Sequence, residues 1–188
     1  MNDASRRRKM RLRDAAGSFD LLEGTGEITD MVSCCDFLEI YKRDKTYRVA
    51  SPEAVDPDRR TPNAPWVVSP VSDVGSAHPI VARFFIQSAE MLRVGKLRKL
   101  DDILPAITHL HSCKETLLQC DSLAEATAAK IDALVNEIQS TGLSRETSGR
   151  GYNPFPVVEN LEDDCGVFLV KVNRAIRQIS GIPHLCWN

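Results

Sequence analysis

Most apolar positions of the chain recur at helical spacing. After Ser76, Pro79 suits a first helical turn, and Ile80, Val81, Phe84, Phe85, Ser88, Met91 and Leu92 follow at i, i+4 and i+8. That pattern predicts a helix with one buried face, and Gly95 is placed to end it. A second pattern, Leu104, Ile107, Leu110, Leu117 and Leu118, begins after Asp101 or Asp102 as N-cap, with Pro105 early in the helix. Ser122 with Glu125 three residues on has the form of a capping box. A further helix is therefore expected through Ala126, Ala129, Ile131, Leu134, Val135 and Ile138 to Gly142. A tight joint at Cys120-Asp121 would make these two helices an antiparallel αα-hairpin over about 102–141. A last helix is predicted from Asn160 to about Ile179, with Leu161, Val167, Phe168, Val170, Val172 and Ile176 inside it. Gly181 and Pro183 are its expected terminators.

The first third is less regular. Thr29 or Asp30 can cap a helix that carries Met31, Cys34, Cys35, Leu38 and Tyr41 on one face. Phe37-Leu38-Glu39-Ile40-Tyr41 also reads as a strand, and Thr46-Tyr47-Arg48-Val49 as another. The helix over 29–41 is favoured. Residues 51–75 hold Pro52, Pro57, Pro62, Pro65 and Pro70 and are expected to form a loop. Only Trp66-Val67-Val68 would extend there. The expected fold is mainly α: a four- to five-helix domain containing an αα-hairpin, with room for a short strand or β-hairpin near 37–50. Residues 1–18 are read as a flexible basic arm. Residues 19–188 are read as a single helical domain with a Pro-rich loop at 51–75 and a flexible loop at 143–156.

Composition supports a folded chain. With 188 residues, 43% hydrophobic and 27% charged, it is long and apolar enough to bury a core, which excludes wholesale disorder. The net charge of −2 hides an asymmetry. Arg6, Arg7, Arg8, Lys9, Arg11 and Arg13 against Asp3 give the first 13 residues +5, leaving −7 on the rest. No apolar run reaches bilayer length and no secretory leader is recognisable, so no membrane partner and a cytoplasmic location are expected. Cys34, Cys35, Cys113, Cys120, Cys165 and Cys186 are then read as reduced thiols.

Candidate chemistry is sparse. His109 and Cys113 stand at i and i+4, so they share a helical face that can hold two metal ligands, whereas His111 points elsewhere. No Cys-x-x-Cys or His-Glu-x-x-His accompanies them, so neither metal nor cofactor is assigned. Glu159, Glu162, Asp163 and Asp164 surround the start of the last helix, where the helix dipole alone favours acids. Gly149-Arg150-Gly151 lacks the Gly-Lys-Ser/Thr ending of a phosphate loop. The expected function is a non-catalytic helical protein-interaction module, a subunit or adaptor of an intracellular complex. Its contacts to a protein partner or to a second copy would be Trp66, Leu185 and Trp187. One alternative is a nucleic-acid-binding protein using Arg6, Arg7, Arg8, Lys9, Arg11 and Arg13. Another is a small metal-dependent or Cys/His hydrolase built on His109, Cys113 and the acids at 162–164.

Overall fold

The alternation in Phe37-Leu38-Glu39-Ile40-Tyr41 resolves as a strand, which overturns the mainly helical expectation. The computed structural model describes residues 21, 23–34, 37–94, 100–141 and 157–187, of which 100–102, 141 and 183–187 are described by backbone alone. Four strands form an antiparallel meander in chain order: β1 Asp30–Ser33, β2 Phe37–Tyr41, β3 Thr46–Ala50 and β4 Val67–Ser72. The fold is thus mixed α/β with a helix-rich C-terminal part, not a helical domain. The apolar spacing over 29–41 fits a helical face only by leaving out Val32 and Ile40, and both are core residues. As strands, the chain buries Val32 and Tyr41 on one face of the sheet and Ile40 on the other, while Met31 stays exposed.

The hairpin between β2 and β3 turns through Arg43-Asp44, closed by the Lys42 N–H donating to the Lys45 carbonyl at 2.9 Å. Within the Pro-rich stretch, Ser51 caps a single helical turn, α1 Pro52–Val55. Pro70 sits inside β4, a position open to proline because β4 is an edge strand. A register shift between Thr46 and Tyr47 sets Tyr47 opposite Pro70.

One sheet face buries Ile40, Tyr47 and Val49, with Leu21, Leu38, Trp66 and Val68 packed around them. The other face carries Val32, Glu39 and Tyr41, and helices cover it. α2, Ile80–Ile86, is wound as a π-helix, with the Gln87 N–H donating to the Ala82 carbonyl five residues back. It continues as α3, Gln87–Val94. Pro79 precedes it as expected, but the extra residue in each hydrogen-bonded ring moves the buried set to Val81, Phe85, Ile86 and Ala89. Met91, expected inside, is 72% exposed.

The expected break at Cys120-Asp121 does not occur. α4 runs unbroken from Leu100 to Thr141. Neither Gly nor Pro stands at the proposed joint, and Thr127 Oγ1 donates to the Leu123 carbonyl at 2.8 Å inside a continuous helix. α5, Leu161–Trp187, likewise stays helical through Gly181 and Pro183. A proline so near the helix end removes a single backbone bond. The chain divides into two compact units within α4, between Lys114 and Glu115. The first holds the sheet, α1 to α3 and the start of α4. The second holds the rest of α4 and α5 as far as Gly181. Gly95, Gly142, the arm 1–18 and the loop 143–156 lie outside the described residues.

Candidate functional site

In the first unit, a carboxylate lies buried under helices. Glu39 points from β2 to the helix-covered face and is 0% exposed. Arg48 lies directly opposite on β3, and its Nη2 donates to Glu39 Oε1 at 3.2 Å. His111 on α4 approaches the same oxygen through Nε2 at 2.7 Å. An ionised carboxylate only accepts, so His111 Nε2 carries the proton. The second oxygen, Oε2, accepts from Lys114 Nζ at 2.7 Å and from the Tyr41 hydroxyl. Lys114, 1% exposed, also reaches Tyr41 Oη at 3.2 Å and lies 5.0 Å from the Phe85 ring centre. Phe37 and Phe85 stand edge-on to the His111 ring at 5.0 and 5.8 Å. The Arg48 guanidinium stacks 4.3 Å from the Phe37 ring centre. Among the described residues its buried Nε has no hydrogen-bond partner.

Burial opposes ionisation of Glu39, but the hydrogen bond from His111 and the charge of Lys114 outweigh it. The carboxyl is held at about 2 against an ordinary 4.5. Glu39 and His111 are donor types that bind metals, yet Lys114 and Arg48 already neutralise this carboxylate, so we assign no metal to the pair. With Glu39 and Lys114 fully packed, the network fixes how α4 seats on the sheet rather than presenting a group to substrate.

The αα-hairpin expected within 102–141 is instead the single helix α4; in the second unit α4 and α5 form an antiparallel pair. Lys171 Nζ donates to Gln119 Oε1 at 2.6 Å, and Lys130 Nζ to Asp164 Oδ2 at 2.5 Å. The contact advances along α4 as it recedes along α5, so the helices are antiparallel. Cys120 and Ala175 are buried and Leu123, Thr127, Phe168 and Lys171 half-buried, which marks the sides of the two helices that meet at the seam. A quarter-turn round α4 from that seam stand Leu117, Asp121, Ala124, Ala128, Ile131 and Val135. A quarter-turn round α5, in the same rotational sense, stand Cys165, Leu169, Val172, Ile176 and Ile179. Because the helices run in opposite directions, both stripes lie on one side of the hairpin. The two polar bridges lie on the other side of the seam. Leu169 is 65% and Ile176 60% exposed, and Ile131 and Val135 are also exposed.

The residues singled out from sequence are distributed differently. Trp66 is half-buried and packs on the core around Ile40, Tyr47 and Val49. Leu185 and Trp187 lie on the last helical turns, and their side chains are outside the described residues. Arg6, Arg7, Arg8, Lys9, Arg11 and Arg13 are also outside them. Cys113 is fully buried, and burial pushes its thiol up, so it offers no activated nucleophile beside His109. His111, set aside from sequence, is the histidine that meets a carboxylate. The available signal was Glu39 alternating with Phe37 and Tyr41, a charge on an aromatic face that needs a buried partner. The chain matches no protein-family model, no curated protein and no solved structure. Among the described residues, no helix is long and apolar enough to cross a membrane.

Proposed function

We propose that the protein is a non-catalytic interaction module, a subunit or adaptor, whose contact surface is the apolar side of the α4–α5 hairpin. The observation that carries this reading is the exposure of Leu169, Ile176, Ile131 and Val135 on one side of two adjacent helices. Two helices share one seam, and a second apolar stripe on each is what a helix carries when it has another neighbour. A monomer that kept this side in water would forgo the burial of several large side chains, each contributing about 1.5–3 kcal/mol when fully covered. The packing of Trp66 on the sheet core moves the reading away from the Pro-rich stretch and toward the hairpin.

The test uses the full chain with Leu169→Asp and Ile176→Asp, purified with its companions from its native host. The reading expects loss of a stoichiometric companion with far-UV helicity unchanged, since both side chains face solvent in the isolated chain. Full retention of every companion sinks it. The charge of the arm favours a second reading, contact with nucleic acid through Arg6 to Arg13. It expects affinity for a duplex that falls steeply with salt and vanishes when residues 1–13 are removed.

A further inference from the structure

We infer that the β2–β3 hairpin carries a peptide-binding site occupied by the chain's own segment 21–26. When that segment lifts away, the site takes an extended acidic peptide with a Leu two residues before a Glu. The site lies in the first unit and is independent of the apolar side of α4 and α5.

The contacts of the segment are those of a bound peptide; residue 22 lies outside the described residues. Lys42 Nζ donates to the Leu21 carbonyl at 3.0 Å and to the Glu23 carbonyl at 2.8 Å. The Tyr47 hydroxyl donates to the same Glu23 carbonyl. Lys45 Nζ pairs with the Glu23 carboxylate. The Thr25 N–H donates to Asp44 Oδ1 at 2.7 Å. Leu21 packs against Ile40, Tyr47 and Val49. Two carbonyls, one N–H, one carboxylate and one apolar side chain are thus each recognised by side chains of β2, β3 or their turn. Main-chain bonds of this kind supply affinity, and the places for Leu and Glu supply specificity.

The segment is held in a way that lets it leave. Among the described residues, no backbone–backbone hydrogen bond joins 23–27 to the rest of the chain. Residues 23–27 are exposed, and Leu21 is only half-buried. Gly24 and Gly26 hold φ of 80° and 76°, the left-handed region that lets the backbone turn on and off the hairpin. Few buried apolar contacts and exposed hydrogen bonds mark a region that opens locally, well short of global unfolding.

Lys42 gives the site its preference for acid. Its ammonium meets two carbonyls and, among the described residues, no carboxylate. An occupant with a further acid beside its Leu gains an attraction there that Leu21 and Glu23 do not make.

The test is fluorescence anisotropy of a labelled peptide copied from Asp20 to Gly26, titrated with the full chain. In the wild type the tethered segment competes at an effective concentration of about 1 mM, so the peptide binds weakly. Gly24→Ala places a Cβ 3.0 Å from Lys45 Cβ and 3.1 Å from Asp44 Oδ1, at a φ that alanine disfavours, and so loosens the segment but not the sheet. Glu23→Lys loosens it by setting an ammonium against Lys45. Each variant should bind the peptide at least about tenfold more tightly than wild type. Lys45→Glu added to Gly24→Ala should abolish the gain. No gain in either variant, or a gain that survives Lys45→Glu, overturns the inference. Should the variants lose the sheet by far-UV circular dichroism, hydrogen exchange of the wild type decides. The Thr25 amide should then exchange at least about a hundredfold faster than the amides of β3. A common rate for both would tie the segment to global unfolding and overturn the inference.

Discussion

Acid should weaken this fold largely through one carboxylate. Glu39 titrates at about 2 in the folded chain against 4.5 ordinarily, because His111 and Lys114 hold its charged form inside the protein. A carboxyl depressed on folding contributes its full stabilisation above 4.5 and loses it as pH falls from about 4.5 to about 2. The gap between those values corresponds to about 3 kcal/mol at 1.36 kcal/mol per pH unit. Glu39→Gln keeps the shape of the side chain but cannot titrate. The variant starts less stable near neutrality, since an amide leaves Lys114 an uncompensated buried charge. Urea unfolding of both proteins, followed by far-UV circular dichroism at about pH 6 and about pH 2.5, compares how much each loses. Carboxylates common to both cancel in the difference. The wild type should lose about 3 kcal/mol more than the variant over this interval. Parallel losses would show that Glu39 is not held ionised by these partners, and the reasoning about the buried network would fail.

Other consequences are as concrete. Lys114→Met removes the cation from a fully packed pair and should cost about 3–5 kcal/mol in urea unfolding at neutral pH. A cost under about 1 kcal/mol would mean the pair is solvated. A Cβ added at Gly75 would lie 2.2 Å from the Lys42 carbonyl oxygen and 2.5 Å from the Lys45 nitrogen, so Gly75→Ala should lower stability by about 1–3 kcal/mol. An unchanged thermal midpoint would contradict that close approach. The π-wound segment makes a paired prediction. Phe85→Ala, at a fully buried position, should cost about 3–5 kcal/mol, while Met91→Lys should stay within about 0.5 kcal/mol of wild type. Comparable costs at the two positions would restore the uninterrupted helical register that the sequence suggests, which buries both.

How much of this was legible beforehand differs by element. The helices after Ser76 were readable because their apolar spacing is local. Their joints were not. Ser122 with Glu125 has the form of a cap, but no Gly or Pro stops the chain there, and an uninterrupted hydrogen-bond ladder prevails. The one-residue displacement that exposes Met91 comes from i+5 bonding, which leaves no mark in composition. Over 29–41 the helical and extended readings both matched the pattern. The strand prevails because pairing with Thr46–Ala50 buries both faces at once, a long-range effect invisible within a short window. For the same reason His111 and Glu39, 72 positions apart, could not be joined from sequence. Each was readable as a polar group on a partly apolar element, but their meeting depends on how α4 seats on the sheet.

The central claim is that the α4–α5 side carrying Leu169 and Ile176 is covered in the working assembly. Hydroxyl-radical footprinting tests it directly, comparing the assembly purified from its host with the chain after gentle dissociation. The account predicts that oxidation of Ile131, Val135, Leu169 and Ile176 falls in the assembly, while Met91 and Val170 react equally in both states. Equal oxidation of the hairpin residues in the two states, with protection appearing elsewhere on the chain, would contradict it.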